Sequence, residues 1–238
     1  MTAREARTKL ASLASTAVAA SSARFFKTGP GQYGEGDVFI GVRVPVLRTL
    51  AREFRDLPLR EIDVLLCSAI HEERLLAILI LTQSLIRCDA EHRKQVYDFY
   101  MSRTEHVKNW DLVDTSAPAI VGGYLVDKSR KPLMKLAKSK SLWERRIAIV
   151  ATQHFIRLGQ FDDTLSISCV LLSDSEDLIH KAVGWMLREV GERDAAPLLH
   201  FLDEHAGTMP RTTLRYAIEH FSAEQRKAYL AMRKGSKA

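Results

Sequence analysis

Apolar residues recur at helical spacing along almost the whole chain, whereas the apolar–polar alternation of a half-buried strand is nearly absent. This pattern predicts an all-α fold. Most predicted helices are roughly 10 to 16 residues long with short connections, which favours antiparallel helix pairs stacked on one another. They cover residues 2–26, 44–55, 59–69, 72–87, 90–102, 109–125, 127–138, 142–158, 161–171, 175–190, 192–204, 208–220 and 222–233.

Stacked helix pairs of this kind are typical of HEAT-like repeats, which run about 40 residues each and need no strict sequence repeat. We therefore expect residues 1–238 to form one domain, a curved solenoid with a concave face. The net charge of +6 favours a basic concave face and a long anionic partner. Charge alone does not separate nucleic-acid-binding proteins from the many basic proteins that bind none.

Other functional classes lack their signatures in this chain. The most apolar run, residues 75–86, is shorter than the ~20 residues that span a bilayer, so no membrane segment is expected. The apolar surroundings of Cys67 and Cys169 predict buried thiols, and with Cys88 they form neither a disulfide framework nor a zinc site. HEERL, which begins at His71, lacks the second histidine of a zinc-binding HExxH motif. We expect a cytoplasmic monomer without metal or cofactor.

A glycine-rich loop, residues 27–41, separates the first two predicted helices and holds five of the twelve glycines. Its GPGQYG matches the GxGxxG pattern of nucleotide-binding folds. In those folds a strand precedes the pattern, whereas here a helix does, so we predict no nucleotide site. The composition favours a flexible surface loop, whose free backbone amides would suit phosphates if the partner is DNA.

The segment NWDLVDTSAP, residues 109–118, brings an indole and a carboxylate to one helix face. Asn109 is a good N-cap, and Trp110 and Asp114 lie one helical turn apart. A carboxylate beside an indole face is a good receptor for a cation. The same spacing fits a core tryptophan beside an aspartate paired with an arginine, so both interpretations stay open.

The predicted helix 142–158 has an apolar stripe that includes Trp143, which is therefore expected in the core. Arg146, Gln153 and Arg157 share a neighbouring polar face. Arginine donors aligned on a helix suit phosphates. A solvated basic face would give the same pattern, and the spacing does not distinguish these two interpretations.

The predicted helix 175–190 carries a tryptophan away from its apolar stripe. Trp185 falls roughly opposite that stripe, between Lys181 and Arg188 on the basic outward face. Packing under a neighbouring repeat is one explanation. The other, which we favour, is an aromatic residue that stacks on DNA or wedges into it between two phosphate-binding cations.

At these same residues the sequence resembles the AlkD-like alkylpurine DNA glycosylases of the HEAT-like repeat DNA glycosylase superfamily. The resemblance runs over residues 23–221, nearly the whole chain. Its most specific stretches are WDLVD at 110–114, WERRIAI at 143–149 and KAVGWMLRE at 181–189. The order and joint occurrence of the three stretches make the resemblance specific.

The resemblance implies roles for individual residues. Asp114 corresponds to the catalytic aspartate, and Trp110 and Trp185 correspond to the two tryptophans of the site. Arg146 corresponds to a DNA-contacting arginine, for which Lys181 and Arg188 are expected helpers on the phosphates. The family tyrosine near the end of the first helix is replaced by Phe25, which keeps the ring and loses the hydroxyl.

The implied reaction is hydrolysis of the glycosidic bond of 3-methyladenine or 7-methylguanine in duplex DNA, which leaves an abasic site. A cationic purine leaves as a neutral base without a general acid, so one carboxylate is enough. No lysine is implied as a Schiff-base nucleophile, so we expect a monofunctional glycosylase, nucleoid-associated when bound to DNA. Two alternatives are a non-catalytic HEAT-repeat relative that binds altered or branched DNA and a protein-interaction scaffold.

Overall fold

The computed structural model describes residues 1–232, and the regular elements of that range are helices, which confirms the predicted all-α fold. One isolated bridge pairs Val38 with Ile70. Within the described range no helix is both long and apolar enough to cross a membrane. The chain divides into two compact units, Met1–Ile120 and Val121–Ala238, each described by itself below. A single domain over the whole chain stays a prediction.

The first unit is organised around α5 (His71–Ser84), whose side chains from His71 to Leu81 are all buried. α5 packs against α3 (Val44–Glu53), α4 (Leu59–Leu66) and α7 (Trp110–Ala117). A 3₁₀ turn at Thr104–His106 leads towards α7. The helices of this unit are α1 (Ala3–Ser12), α2 (Thr16–Phe25), α3 (Val44–Glu53), α4 (Leu59–Leu66), α5 (His71–Ser84), α6 (Ala90–Met101) and α7 (Trp110–Ala117).

The first predicted helix, residues 2–26, is wrong as one element and forms two helices. Leu13 ends α1, and the Ser15 side chain caps α2 by accepting a hydrogen bond from a backbone N–H of its first turn. The Ser15 N–H also donates to the Ile40 carbonyl at 3.0 Å. Gly41 lies against this turn with φ +84°, and a Cβ there would collide with the Ser15 carbonyl oxygen. The cap and the tertiary contact thus override the helical periodicity.

The second unit is organised around α13 (Asp177–Arg193), which packs most extensively against α15 (Arg211–Ala217). Gly184 permits this approach, because a Cβ there would collide with the Thr213 carbonyl oxygen. A π-helical turn, Pro118–Gly122, contains the division between the units. The last predicted helix, 222–233, ends two residues early, and residue 233 lies outside the described range. The helices are α8 (Gly123–Leu125), α9 (Lys131–Ala137), α10 (Leu142–Ala151), α11 (Gln153–Ile156), α12 (Asp162–Leu171), α13 (Asp177–Arg193), α14 (Ala195–His205), α15 (Arg211–Ala217) and α16 (Ala223–Ala231).

Two further predicted helices are interrupted where a side chain or an imino acid disturbs the backbone ladder. The helix predicted over 109–125 changes to the π turn at Pro118, which has no N–H to donate. The helix predicted over 142–158 ends its first part before Thr152, whose hydroxyl donates to the Ile149 carbonyl at 2.6 Å. Periodicity predicts the existence of these helices but not their breaks.

The three cysteines are free thiols. Cys67 and Cys169 are exposed, which corrects the prediction that they are buried, and Cys67 lies at the end of α4 rather than inside the core. Partial desolvation raises the pKa of both of these thiols. The charge of Asp63 adds to this effect at Cys67, and the charge of Glu204 adds to it at Cys169. A raised pKa lowers the thiolate fraction of each sulfur at neutral pH.

Candidate functional site

Trp110 and Asp114 lie on α7, one turn apart, and both are half-buried. Asn109 caps this helix as the sequence predicts, with its Oδ1 accepting the Trp110 N–H at 2.8 Å. The Asn109 side chain is fully buried, so the start of α7 is fixed from inside the first unit. The Asp114 charge also lies near Tyr100, whose pKa is raised by complete burial, reinforced by that carboxylate.

Phenylalanine rings from two other segments support the Trp110 indole. The Phe26 ring stacks on it at a centroid distance of 5.2 Å with an interplanar angle of 17°. Phe26 in turn stacks on Phe39 of the glycine-rich loop at 5.0 Å, and Phe39 stacks on the His71 imidazole at 4.5 Å. Phe25 meets the indole edge-on at 5.9 Å and is itself 65% exposed. An exposed Phe25 ring and the half-buried indole therefore lie on a stack of half-buried phenylalanine rings that ends at the buried His71 imidazole.

A buried network of charged side chains lies under this stack. The His71 Nδ1 lies 3.0 Å from Asp37 Oδ2, and its Nε2 lies 2.8 Å from Asp111 Oδ2. Asp37 also accepts hydrogen bonds from Arg74 Nη2 at 2.6 Å and from Asn109 Nδ2 at 2.9 Å. The side chains of His71, Arg74 and Asp37 are each 2% exposed. The network joins the glycine-rich loop, α5 and the first turn of α7.

The network shifts the pKa values of its members in opposite directions. Burial lowers the pKa of His71, but the hydrogen bonds and charges of Asp111 and Asp37 outweigh burial and raise it to about 9. Burial raises the pKa of Asp37, but the bonds and charges of His71, Arg74 and Asn109 outweigh it and lower it to about 2. At neutral pH the network therefore contains an imidazolium, a guanidinium and the Asp37 carboxylate.

The glycine-rich loop is held by this unit, and most of its amides are not free. The amides of Ile40 and Gly41, and that of Val42 just after the loop, donate to the Glu72 carboxylate at 3.1, 2.8 and 3.3 Å. Val38 donates to the Ala69 carbonyl at 3.3 Å. Other amides donate hydrogen bonds to acceptors within the loop, namely those of Gly29, Gly31, Gly34 and Asp37. The expectation of free amides is therefore wrong, because the loop supplies its own acceptors and α5 supplies a carboxylate.

In the second unit the arginine face predicted from spacing is largely buried. Arg146 is 5% exposed and its Nη1 donates to the Leu178 carbonyl at 2.6 Å. Gln153 is 8% exposed and lies beyond the break in the predicted helix. Arg157 is exposed and donates to the Gln153 side chain at 3.0 Å. Trp143 is half-buried instead of fully enclosed in the core.

The surface around Trp185 carries carboxylates as well as cations. The indole Nε1–H donates to Glu189 Oε1 at 2.9 Å, one turn along α13. Lys181 pairs with Asp177 at 2.8 Å, and Arg188 pairs with Glu219. Trp185 is half-buried, as are both flanking cations. The predicted pair of cations is present, but each has an acidic partner.

Sequence reasoning missed Asp37, His71, Arg74, Phe26 and Phe39 as parts of this arrangement. The sequence signal that points to these buried charges is HEER, residues 71–74, which immediately precedes the apolar residues of α5. Four polar side chains at the start of a buried helix require partners, which indicates buried charges elsewhere. In the described residues no group of three or more histidine, cysteine or acidic side chains is arranged to hold a metal ion.

Comparisons with known proteins agree with this helical architecture. The chain matches the family of DNA alkylation repair enzymes over residues 6–221. Its fold is similar to a solved structure from Enterococcus faecalis described as a predicted DNA alkylation repair enzyme, with a TM-score of 0.68, 18% identity, and coverage of 88% of this chain and 97% of that chain. No curated protein sequence matches it. Because the family match spans nearly the whole chain, the protein belongs to the family of DNA alkylation repair enzymes.

Proposed function

We propose that the protein is a monofunctional DNA glycosylase, which hydrolyses the glycosidic bond of cationic alkylated purines in duplex DNA and leaves an abasic site. The observation that carries the proposal is the pairing of Trp110 and Asp114 on α7, one turn apart and both half-buried. The family match supports a role in repairing alkylated DNA. The proposal adds the reaction and the substrate class.

The reaction needs little acid–base machinery when the base is already cationic. The C1′–N bond breaks, and its electron pair goes to the purine, which leaves as a neutral base. The remaining oxocarbenium-like sugar is stabilised by the Asp114 carboxylate and takes up water at C1′, while the proton of that water passes to the carboxylate or to solvent. Trp110 supplies an electron-rich face for the cationic base or its deoxyribose.

The aromatic surface at Trp110 supports this role. Phe25 is 65% exposed beside the indole edge, so rings are available to a nucleotide at the surface of the first unit. Trp185 belongs to the second unit, and its proposed role is contact with the lesion strand. Arg157, Lys181 and Arg188 are proposed as phosphate contacts in that unit. The contacts expected of Arg146 and Gln153 are not part of the proposal, because these side chains are only 5% and 8% exposed.

The test is release of 7-methylguanine and 3-methyladenine from methylated duplex DNA. Asp114→Asn removes the charge and keeps the shape, and we expect the single-turnover rate to fall by about a hundredfold or more. Asp127→Asn, an exposed carboxylate of the second unit, is the matched control and is expected to retain the wild-type rate. Undiminished release by Asp114→Asn would contradict the assigned role.

A second candidate is a non-catalytic protein that binds altered DNA. One observation favours it: Phe25 lies beside the Trp110 indole and brings no hydroxyl to the site. Salt-dependent binding of a methylated duplex by wild-type protein, with no base released over many hours, would select this candidate.

A further inference from the structure

The first turn of α5 contains charged groups that the proposed chemistry does not use. His71, Glu72, Glu73 and Arg74 are 1%, 3%, 5% and 1% exposed. Each of these four side chains forms hydrogen bonds with a residue outside α5. Glu73 accepts from Arg7 Nε of α1 at 2.7 Å, and Glu72 accepts backbone amides at the end of the loop and just after it at 2.8–3.3 Å. His71 is the member that reaches α7.

The geometry at His71 requires both ring nitrogens to donate. Each nitrogen faces a carboxylate oxygen, Asp37 Oδ2 at 3.0 Å and Asp111 Oδ2 at 2.8 Å. A neutral imidazole has one N–H and one acceptor lone pair, so it satisfies only one of two ionised carboxylates. The imidazolium satisfies both, and it bridges a loop residue to a residue in the first turn of α7.

The same imidazole is also part of the aromatic support of Trp110. It stacks on Phe39 at 4.5 Å, and Phe26 lies between Phe39 and the indole. Asp111 is the residue that follows Trp110, and it lies three residues before Asp114. A displacement of Asp111 therefore acts on both residues of the proposed site through α7.

We propose that His71 is a positioning residue for the reaction: by bridging Asp37 and Asp111 it fixes the Trp110 indole and the Asp114 carboxylate in the orientation that hydrolysis requires. The inference rests on the proposed function. It assigns a purpose to the HEERL segment, which as a zinc motif is incomplete. His71 touches no substrate in this scheme and acts only through the loop and α7.

The charges that face His71 favour the imidazolium. Asp37 approaches from the loop and Asp111 from α7, whereas Arg74, on the same helix as His71, binds the other oxygen of Asp37. Glu72, also on α5, is directed to the loop amides. These surroundings raise the pKa of His71 to about 9, despite the opposing effect of burial, so the bridge is complete at neutral pH.

Two substitutions separate the two halves of the bridge. The amide of His71→Gln reaches approximately the place of Nε2 and can still donate to Asp111, whereas that of His71→Asn reaches the place of Nδ1 and can donate only to Asp37. Glu73→Gln is the matched control, because it weakens an ion pair of the same turn whose partner, Arg7, lies in α1.

The rate measurement is single-turnover release of 7-methylguanine, corrected for the folded fraction, beside the Kd for undamaged duplex. We expect His71→Asn to lose about tenfold or more in rate, since small misplacements of reacting groups are costly. His71→Gln should lose less, Glu73→Gln should keep the wild-type rate, and the duplex Kd should stay within about twofold in all three. A wild-type rate in folded His71→Asn would overturn the proposal.

A spectroscopic measurement tests the position of the indole even if the His71 variants do not fold or the wild type releases no base. In protein labelled with 5-fluorotryptophan, the Trp110 ¹⁹F signal is assigned by its absence in Trp110→Phe. Its chemical shift in the wild type should change between about pH 6 and about pH 10, as His71 loses its proton. It should be displaced in His71→Asn and unchanged in Glu73→Gln. A wild-type signal that does not move overturns the proposal even if the His71 variants fail to fold. If the wild type releases no base, the proposed function fails, and this signal still decides whether His71 positions the indole.

Discussion

Trp110 and Trp185, one in each unit, are the two tryptophans proposed to meet the lesion, and they are supported in different ways. Trp110 stacks on Phe26, and hydrogen bonds from His71 to Asp111 and from Asn109 to Asp37 fix the start of the helix that carries it. The Trp185 indole is tied by one hydrogen bond to Glu189 on its own helix, in a surface of paired charges. The difference indicates a tryptophan preorganised by contacts from other segments beside the proposed catalytic carboxylate, whereas the hydrogen bond of the second tryptophan comes from its own helix.

The largest expected difference between the two regions is in stability. Asp37→Asn leaves the Arg74 guanidinium and the His71 imidazolium, each 2% exposed, with too little negative charge. Removing one partner of a buried ion pair costs about 3–5 kcal/mol in the free energy of unfolding. Urea unfolding followed by circular dichroism measures this loss at neutral pH.

The matched substitution in the second unit is Asp174→Asn, which removes the partner of Arg145. That pair is less enclosed, with Arg145 15% exposed, and Arg145 also donates to the Ser139 and Lys140 carbonyls. We expect it to cost about 1–3 kcal/mol, less than Asp37→Asn. Equal losses in the two variants would remove the contrast between the regions.

The contrast also marks the limit of what the sequence predicts. Helical periodicity gives the helices of both units, and the N-cap at Asn109 follows from residue type, because these signals are local. The Trp110–Asp114 pairing is local as well. The partners of His71 are not: Asp37 is 34 residues away and Asp111 is 40 residues away. Nothing in the local pattern says which distant carboxylates reach a buried histidine.

The burial of Arg146 was unpredictable for the same reason. Its acceptor, the Leu178 carbonyl, is 32 residues away, and the spacing with Gln153 and Arg157 assumed an unbroken helix. Spacing places side chains on a common face only while the helix continues, and the Thr152 hydroxyl interrupts the backbone ladder before Gln153.

The next expected effect is a pH dependence confined to the first region. The pKa of His71 is raised from 6.5 to about 9, so its contribution to stability is complete below about pH 6.5 and is lost as the pH rises through 9. The pKa of Asp37 is lowered from 3.8 to about 2, so its contribution is complete above about pH 4 and is lost as the pH falls through 2. The network is therefore strongest between these limits.

The alkaline loss is measurable by urea unfolding. At about 1.4 kcal/mol per pKa unit, the wild type should lose about 3 kcal/mol between pH 6 and pH 10 from this group. His71→Gln cannot titrate and should lack this part of the dependence. An identical alkaline loss in both proteins would show that another group is responsible.

The smallest expected effect concerns Trp185 and the charge beside it. Glu189→Gln keeps an acceptor for the indole N–H and removes a negative charge, so stability should change by less than about 1 kcal/mol. If Trp185 contacts DNA, loss of that charge reduces repulsion of the phosphates, and duplex affinity at low salt should rise by about two- to fivefold. Glu224→Gln, on the exposed first turn of α16, is the control and should leave the affinity unchanged. Equal affinities for wild type and Glu189→Gln at low salt, measured by fluorescence anisotropy, would place the phosphates away from this face of α13.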